Sequence, residues 1–304
     1  MKPINTIKAI PKENLMIGGT SACQGCGAIL GSKLLLKALG KKTIIVNTSG
    51  CMTLTALYPF TPYNVPWLHV AIETGGSAAT GISMALKALK KDATVVVYGG
   101  DGAAYDIGFE SLSGLAQRNE NVIYVCYNNH AFSNTGFQHA SSSPWGSNTT
   151  TTPPGKSNPE GNPMKRKDLA KIMVAHGIPY VATACISHPL DYMNKLRKAA
   201  EIPGCKFIDL LISCPTGWGF PNSDTITTSK NIVDAGLWPL YEYDGIKKEF
   251  RVTVKLRLIP VKDALKSQER YKHLTERQIA EIQKKVSQLW KNLDQGKYFE
   301  AEFY

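Results

Sequence analysis

Nowhere in this 304-residue chain do about eighteen apolar residues run together, so a membrane-spanning helix is not expected. The start, Met1-Lys2-Pro3-Ile4-Asn5, has a charge but no continuous apolar run behind it. Secretion is therefore not expected, and the sequence reads as cytoplasmic. Without a leader, the seven cysteines point away from a disulfide framework and toward metal chemistry in a reducing compartment. A basic stripe interleaved with aromatics is also missing: the net charge is +11, from 35 Lys and Arg against 24 Asp and Glu, but the lysines are scattered. That argues against nucleic acid and suits anionic cofactors and an acidic protein partner. The dinucleotide fingerprint is absent too, because Gly100-Asp101-Gly102 runs on into Ala103-Ala104-Tyr105 with no sixth-position glycine.

What is present is an alternation of strand and helix patterns. An irregular start to about residue 20 leads into Cys23-Gln24-Gly25-Cys26 and an apolar helix through Leu30, Leu34 and Leu35. A strand at 43–46 ends in Thr48-Ser49-Gly50-Cys51, a small-residue helix spans about 75–89, and a strand reaches Tyr98. A helix around 110–117, a buried-looking strand at 122–127 and further βα units over 168–212 complete the series. This order predicts an α/β fold with a mostly parallel sheet flanked by helices. The segment 141–163, rich in Ser, Thr, Pro, Gly and Asn, is too long and polar for a simple connector and reads as a loop over a site or a surface that partners cover. Past about residue 222 the pattern weakens, so 223–304 is expected to be a C-terminal extension packing on the same domain and on partners. Within it Thr275-Glu276-Arg277-Gln278 reads as a capping box, followed by an apolar stripe of Ile279, Ile282, Val286, Leu289 and Leu293.

Two constellations carry chemistry. The first is Gly100-Asp101-Gly102 followed, after 25 residues, by Asn128-Asn129. Asp101 falls where a strand ends and a turn begins, the usual ligand position of open α/β sheets, and the flanking glycines let backbone approach a phosphate. A GDG triplet alone is also an ordinary tight turn. With the asparagine pair at this spacing, however, it resembles the half-site of thiamin diphosphate enzymes that holds the cofactor's diphosphate through Mg2+. Magnesium takes hard oxygen donors, and Asp101 and Asn129 supply the side-chain ones. The second constellation is Cys23, Cys26, Cys51 and Cys214. Four thiolates suit zinc or an iron–sulfur cluster, and a CxxC alone is also a redox signal. Beside a coenzyme that makes electron-rich intermediates, a one-electron carrier forms the coherent pairing. Cys126, Cys185 and Cys205 stand in apolar or ordinary surroundings and read as space-filling.

With Val65-Pro66-Trp67, Tyr105-Asp106-Ile107-Gly108, Ser133-Asn134-Thr135-Gly136, His176-Gly177-Ile178-Pro179-Tyr180-Val181 and Cys214-Pro215 added, most of the chain resembles the β subunits of the 2-oxoacid:ferredoxin oxidoreductases of pyruvate synthase type. The resemblance implies a domain over 1–222 that carries the diphosphate half of thiamin diphosphate and a 4Fe-4S cluster on Cys23, Cys26, Cys51 and Cys214. It implies that Gly100, Asp101, Gly102, Ala103 and Asn129, His130, Ala131, Phe132, Ser133 and Asn134 wrap the magnesium diphosphate. The Ala131 carbonyl would be a metal donor, Asn134 would reach toward the reactive ring, and Cys51 would lie near both cofactors. The implied activity is coenzyme A-dependent oxidative decarboxylation of pyruvate to acetyl-CoA and CO2, reversible, with electrons passed through the cluster to ferredoxin. Oxalate or another 2-oxoacid is the alternative substrate, and a non-oxidative decarboxylase or synthase subunit the alternative chemistry.

Asn128 and His130 stand where relatives often carry Asp and Glu, and Ala28 where some place a cofactor-contacting Glu, which leaves the substrate open. The carboxylate that activates the aminopyrimidine is implied to come from a separate α subunit. Glu73 is the only local substitute, and reads better as a contact near the cofactor or a helix-start carboxylate. Since the CxxCxxC runs of two-cluster ferredoxins are missing, further clusters are expected on γ and ferredoxin-like δ subunits or fused equivalents.

Overall fold

The computed structural model describes residues 2–57, 59–254 and 259–298. In chain order the elements are α1 (Gly27–Leu39), β1 (Thr43–Thr48), β2 (Trp67–Val70), α2 (Gly75–Ala88), β3 (Thr94–Gly100), α3 (Phe109–Gln117), β4 (Val122–Asn128), α4 (Leu169–Ala175), β5 (Tyr180–Cys185), α5 (Pro189–Glu201), β6 (Lys206–Leu211), the single turn α6 (Pro215–Trp218), α7 (Thr225–Asp234), β7 (Tyr241–Asp244), β8 (Glu249–Val252), α8 (Val261–Lys266) and α9 (Glu276–Asp294). The described strands form one sheet in the order β2-β1-β3-β4-β6-β5-β7-β8. The first six are parallel, while β7 runs antiparallel to β5 and β8 antiparallel to β7.

Strand alternation sorts the core into two faces. Val96, Tyr98, Ile123, Val125, Ile208 and Leu210 point to one side, where they meet α1 and α5. Val95, Val97, Val122, Tyr124 and Phe207 point to the other, toward α2, α3 and α4. Both faces being covered is why these strands read as continuous apolar runs. A third cluster around Trp218, Trp238, Leu265 and Ile282 joins α6 to α9.

Residues 223–254 do more than extend the chain: β7 and β8 lengthen the same sheet, in segments where the sequence signalled no strand. The short edge strand β2 was equally silent. The capping box forms, with Thr275 Oγ1 accepting from the Gln278 amide at 3.3 Å. The apolar stripe of α9 is buried within this chain, Ile279, Ile282 and Val286 in the third cluster and Leu289 and Leu293 against the sheet.

The parallel strands place their C-terminal ends along one edge. There β1 leads into the 3-10 turn Cys51–Thr55, β3 into Asp101 and a π-helical turn at Gly102–Ile107, β4 into Asn129 and β6 toward Cys214. Register fixes these ends against each other, Gly100 beside Tyr127 and Asn128 beside Leu211. The chain also reverses its direction across the sheet between β1 and β3, the switch point where open sheets leave a crevice.

Candidate cofactor site

Two adjoining cavities open at this edge. The larger, about 460 Å3, is walled by Ser49, Gly50, Cys51, Gly100, Asp101, Gly102, Ala103, Tyr127, Asn129 and Ala131 to Thr135, with Ile72 and Ile107 at its side. The smaller, about 170 Å3, is lined by Cys23, Cys26, Cys51 and Cys214 together with Met52, Phe137 and Pro215. Cys51, Asn129, Ser133 and Asn134 belong to both and form the partition. The two constellations seen separately in the sequence are thus neighbours in space.

Asp101 is buried at the bottom of the larger cavity, 2% exposed. Its carboxyl accepts from the Ala131 amide at 2.9 Å, the Ser142 hydroxyl at 2.5 Å and the Gly102 amide at 3.2 Å. These donors are neutral, and burial outweighs them, pushing the Asp101 carboxyl up to about 7. Asn129 Oδ1 accepts from the Ser133 hydroxyl at 2.7 Å, and the Ala131 carbonyl lies 3.5 Å from the same hydroxyl. Gly102 is where a side chain cannot go: a Cβ built there would stand 2.3 Å from the Phe132 ring.

The cysteines are placed by helix starts. Cys26 caps α1, Cys51 opens the 3-10 turn and Cys214 caps α6, its Sγ accepting from the Gly217 amide at 3.4 Å. Gly25, in the left-handed region at φ +72°, turns the CxxC so that it packs on Asn222, whose carbonyl a Cβ would meet at 2.3 Å. Amides at helix starts favour thiolates, yet burial dominates. It raises the Cys26 thiol and pushes Cys51 up to about 12 and Cys214 to about 11, with repulsion from neighbouring cysteines adding to it at each of these three. Among the described residues no three His, Cys, Asp or Glu side chains cluster tightly enough to hold a single metal ion.

Cys126, Cys185 and Cys205 are buried in the core away from both cavities. The side chain of His130 is set apart from the other residues of its turn. It is buried behind the turn, stacked on Trp218, and lines a separate small cavity with Arg270. Burial, then the nearby Arg270 and Arg166, hold its imidazole well below the usual range. Asn128 also faces inward, donating to the Tyr105 hydroxyl and to Asp209, both at 3.1 Å. Glu73 is exposed at the start of α2, outside the cavity wall.

Ser142 and Trp218 carried no sequence motif. The polar segment that begins at Ser141 is latched by three successive serines: Ser141 to Asp106, Ser142 to Asp101 and Ser143 to the His130 carbonyl at 2.6 Å. Its composition pointed to a loop over a site, whereas the bonding partners are set only by folding.

The thiamine pyrophosphate enzyme C-terminal TPP binding domain matches residues 48–210. The chain is 45% identical over 297 residues to the pyruvate synthase subunit PorB of Methanocaldococcus jannaschii, spanning 94% of this chain and 99% of that one. It is 41% identical over 292 residues to the ketoisovalerate oxidoreductase subunit VorB of Pyrococcus abyssi, spanning 93% and 94%. A solved 2-oxoglutarate:ferredoxin oxidoreductase from Magnetococcus marinus, with 2-oxoglutarate, coenzyme A and succinyl-CoA bound, superposes with a TM-score of 0.57 at 26% identity, over 71% of this chain and 70% of that one. The chain therefore belongs to the thiamin diphosphate-dependent 2-oxoacid:ferredoxin oxidoreductases, among their PorB and VorB subunits.

Proposed function

We propose that this chain is the β subunit of a pyruvate synthase, converting pyruvate and coenzyme A to acetyl-CoA and CO2, reversibly, with electrons passing through a 4Fe-4S cluster to ferredoxin. The observation that carries the reading is the shared partition: Cys51, Asn129, Ser133 and Asn134 wall both the larger cavity with Asp101 and the cysteine-lined one. A donor and an acceptor of single electrons would be within a side chain of each other.

The residues fit the groups. Asp101 is a buried carboxyl with neutral donors only, where a cation would favour the ionised form. Asp101, Asn129 and the Ala131 carbonyl would hold Mg2+, while the backbone of Gly100 to Ala103 and the turn 129–134 would border the diphosphate. Cys23, Cys26, Cys51 and Cys214 would hold the cluster: all four line one cavity of about 170 Å3 that adjoins the larger one. Thiamin diphosphate supplies the electron sink that loss of carbon dioxide from a 2-oxoacid requires. Asn134 stands in the partition, where it would orient the reacting end, and Ile72, Ile107 and Phe132 make that side of the cavity apolar. Since Glu73 is exposed and outside the cavity, the carboxylate for the aminopyrimidine would come from an α subunit, with γ and ferredoxin-like δ subunits or fused equivalents completing the assembly. Seven free thiols suit the reducing cytoplasm. The ketoisovalerate oxidoreductase relative favours, as a second reading, a branched 2-oxoacid on the same machinery.

The test is anaerobic purification of the chain alone and co-expressed with its partner subunits, with iron, sulfide, magnesium and thiamin diphosphate assayed. Viologen reduction would be followed with coenzyme A and pyruvate, 2-oxoisovalerate or 2-oxoglutarate. The expected result is a brown complex, most active with pyruvate, and an inactive isolated chain. Zinc in place of iron would sink the cluster assignment, and full turnover by the isolated chain would sink the need for an α subunit.

A further inference from the structure

The turn that offers Asn129 and Ala131 is gripped from behind by three side chains. His130, between them, has φ +66°, a left-handed conformation that side chains other than glycine rarely adopt. Its ring stacks on the Trp218 indole, centroids 5.3 Å apart and planes 14° apart. The Arg270 guanidinium lies 3.7 Å from the indole centroid, and its Nη1 is 3.3 Å from His130 Nδ1. Because arginine has no acceptor, the histidine nitrogen accepts, which fixes the neutral ring in place. The Trp218 Nε1–H donates to the Asn129 carbonyl at 2.7 Å. Trp218 itself hangs from α6, its amide donating back to the Cys214 carbonyl at 2.9 Å. One indole therefore ties the segment that begins at Cys214 to the turn that borders the larger cavity.

We propose that Trp218 is a positioning residue which sets the Asn129–Ala131 turn, so that magnesium and diphosphate are held tightly only while the indole N–H holds the Asn129 carbonyl. The proposal rests on the cofactor reading above and extends it to a residue that touches neither cavity wall. An N–H lost beneath a buried carbonyl leaves that carbonyl unsatisfied, and the turn relaxes toward solvent or toward the ligand. A metal site tuned by the groups behind its donors responds in affinity before it responds in fold.

The experiment compares the co-expressed complex carrying Trp218→Phe with wild type. Phenylalanine keeps a ring against His130 and Arg270 but cannot donate. Calorimetric titration of thiamin diphosphate at fixed Mg2+ should show binding about tenfold weaker, with KM for the cofactor rising by a larger factor than kcat falls. Iron content should stay close to wild type, and the melting temperature of the cofactor-free complex should fall only modestly, for the lost hydrogen bond and indole packing. His130→Asn, which tolerates the left-handed backbone but removes the stack, should weaken binding in the same direction and decides the matter if Trp218→Phe does not fold. Affinity within twofold of wild type, or iron loss at unchanged affinity, would overturn the proposal; the latter would assign Trp218 to the cysteine segment alone. Absence of magnesium-dependent binding in wild type would sink the cofactor reading itself and the proposal with it, a failure visible before any substitution is made.

Discussion

The Ser142 hydroxyl donates to the Asp101 carboxylate at 2.5 Å across 41 residues of chain, joining the end of β3 to the first residues of a long polar loop. The hydroxyl of its neighbour Ser141 does the same for Asp106, near the end of the π-helical turn, and the Ser141 amide donates there too. The loop is thus fastened to Asp106 and to Asp101, the one that lines the larger cavity, and its order and the orientation of Asp101 are one problem.

Asp101→Ala should abolish magnesium-dependent thiamin diphosphate binding while iron content persists, because among the described residues no other carboxylate stands in that cavity wall. Ser142→Ala should weaken binding only several-fold, since two amide donors still orient the carboxyl. Equilibrium binding on both variants checks this, and wild-type affinity in Asp101→Ala would remove the residue from the site.

Cys51 borders both cavities, whereas Cys126 is sealed in the core. Replacing Cys51 with Ala should cost the iron signal and electron transfer. Cys126→Ala should cost about 1 kcal/mol of packing, roughly one sulfur's worth of lost contacts, and leave iron intact. Iron analysis with a melting curve separates the two, and equal iron loss in Cys126→Ala would overturn the ligand set.

At Gly102 the missing side chain makes room for a ring. A Cβ there would lie 2.3 Å from Phe132, so Gly102→Ala has to displace the phenyl group, which also lines the larger cavity. The expected outcome is a folded protein with cofactor affinity reduced tenfold or more, restored in part by Phe132→Leu on the same chain. A lone Gly102→Ala variant that binds normally would contradict it.

Asp209 reports on pH. Burial pushes its carboxyl up to about 6, against the favourable hydrogen bonds from Tyr105 and Asn128. Below about pH 4 both folded and unfolded states hold the proton. Between there and about 6 only the folded state does, so this group's contribution to stability falls as pH rises through that window and levels off above it. The loss amounts to about 3 kcal/mol at most. Urea unfolding across that range should show it in the cofactor-free protein, and Asp209→Asn should flatten the slope; an unchanged slope in the variant would assign it to other groups.

The α/β order, the parallel sheet, the capping box of α9 and the two groups of chemical residues were all legible in the sequence. Each is a local matter: alternation of apolar residues, a cap three residues from its partner, or a triplet at a strand end. The β7–β8 hairpin was not, because short edge strands such as Glu249–Val252 carry no apolar run and gain their order from a neighbour, here β5 through β7. The destination of the α9 stripe was open for the same reason. A helical face states that something will cover it, and only the assembled third cluster shows that this chain does. At the site, residue types determined what chemistry was on offer, while the parallel register determined that Cys51 would sit between a buried carboxyl and three other thiols. Ser142 and Trp218 lay beyond sequence reasoning, since a serine in a polar loop and a tryptophan after a glycine have no pattern of their own. Their partners, Asp101 and the Asn129 carbonyl, come within hydrogen-bond reach only when strands distant in sequence end at the same edge of the sheet.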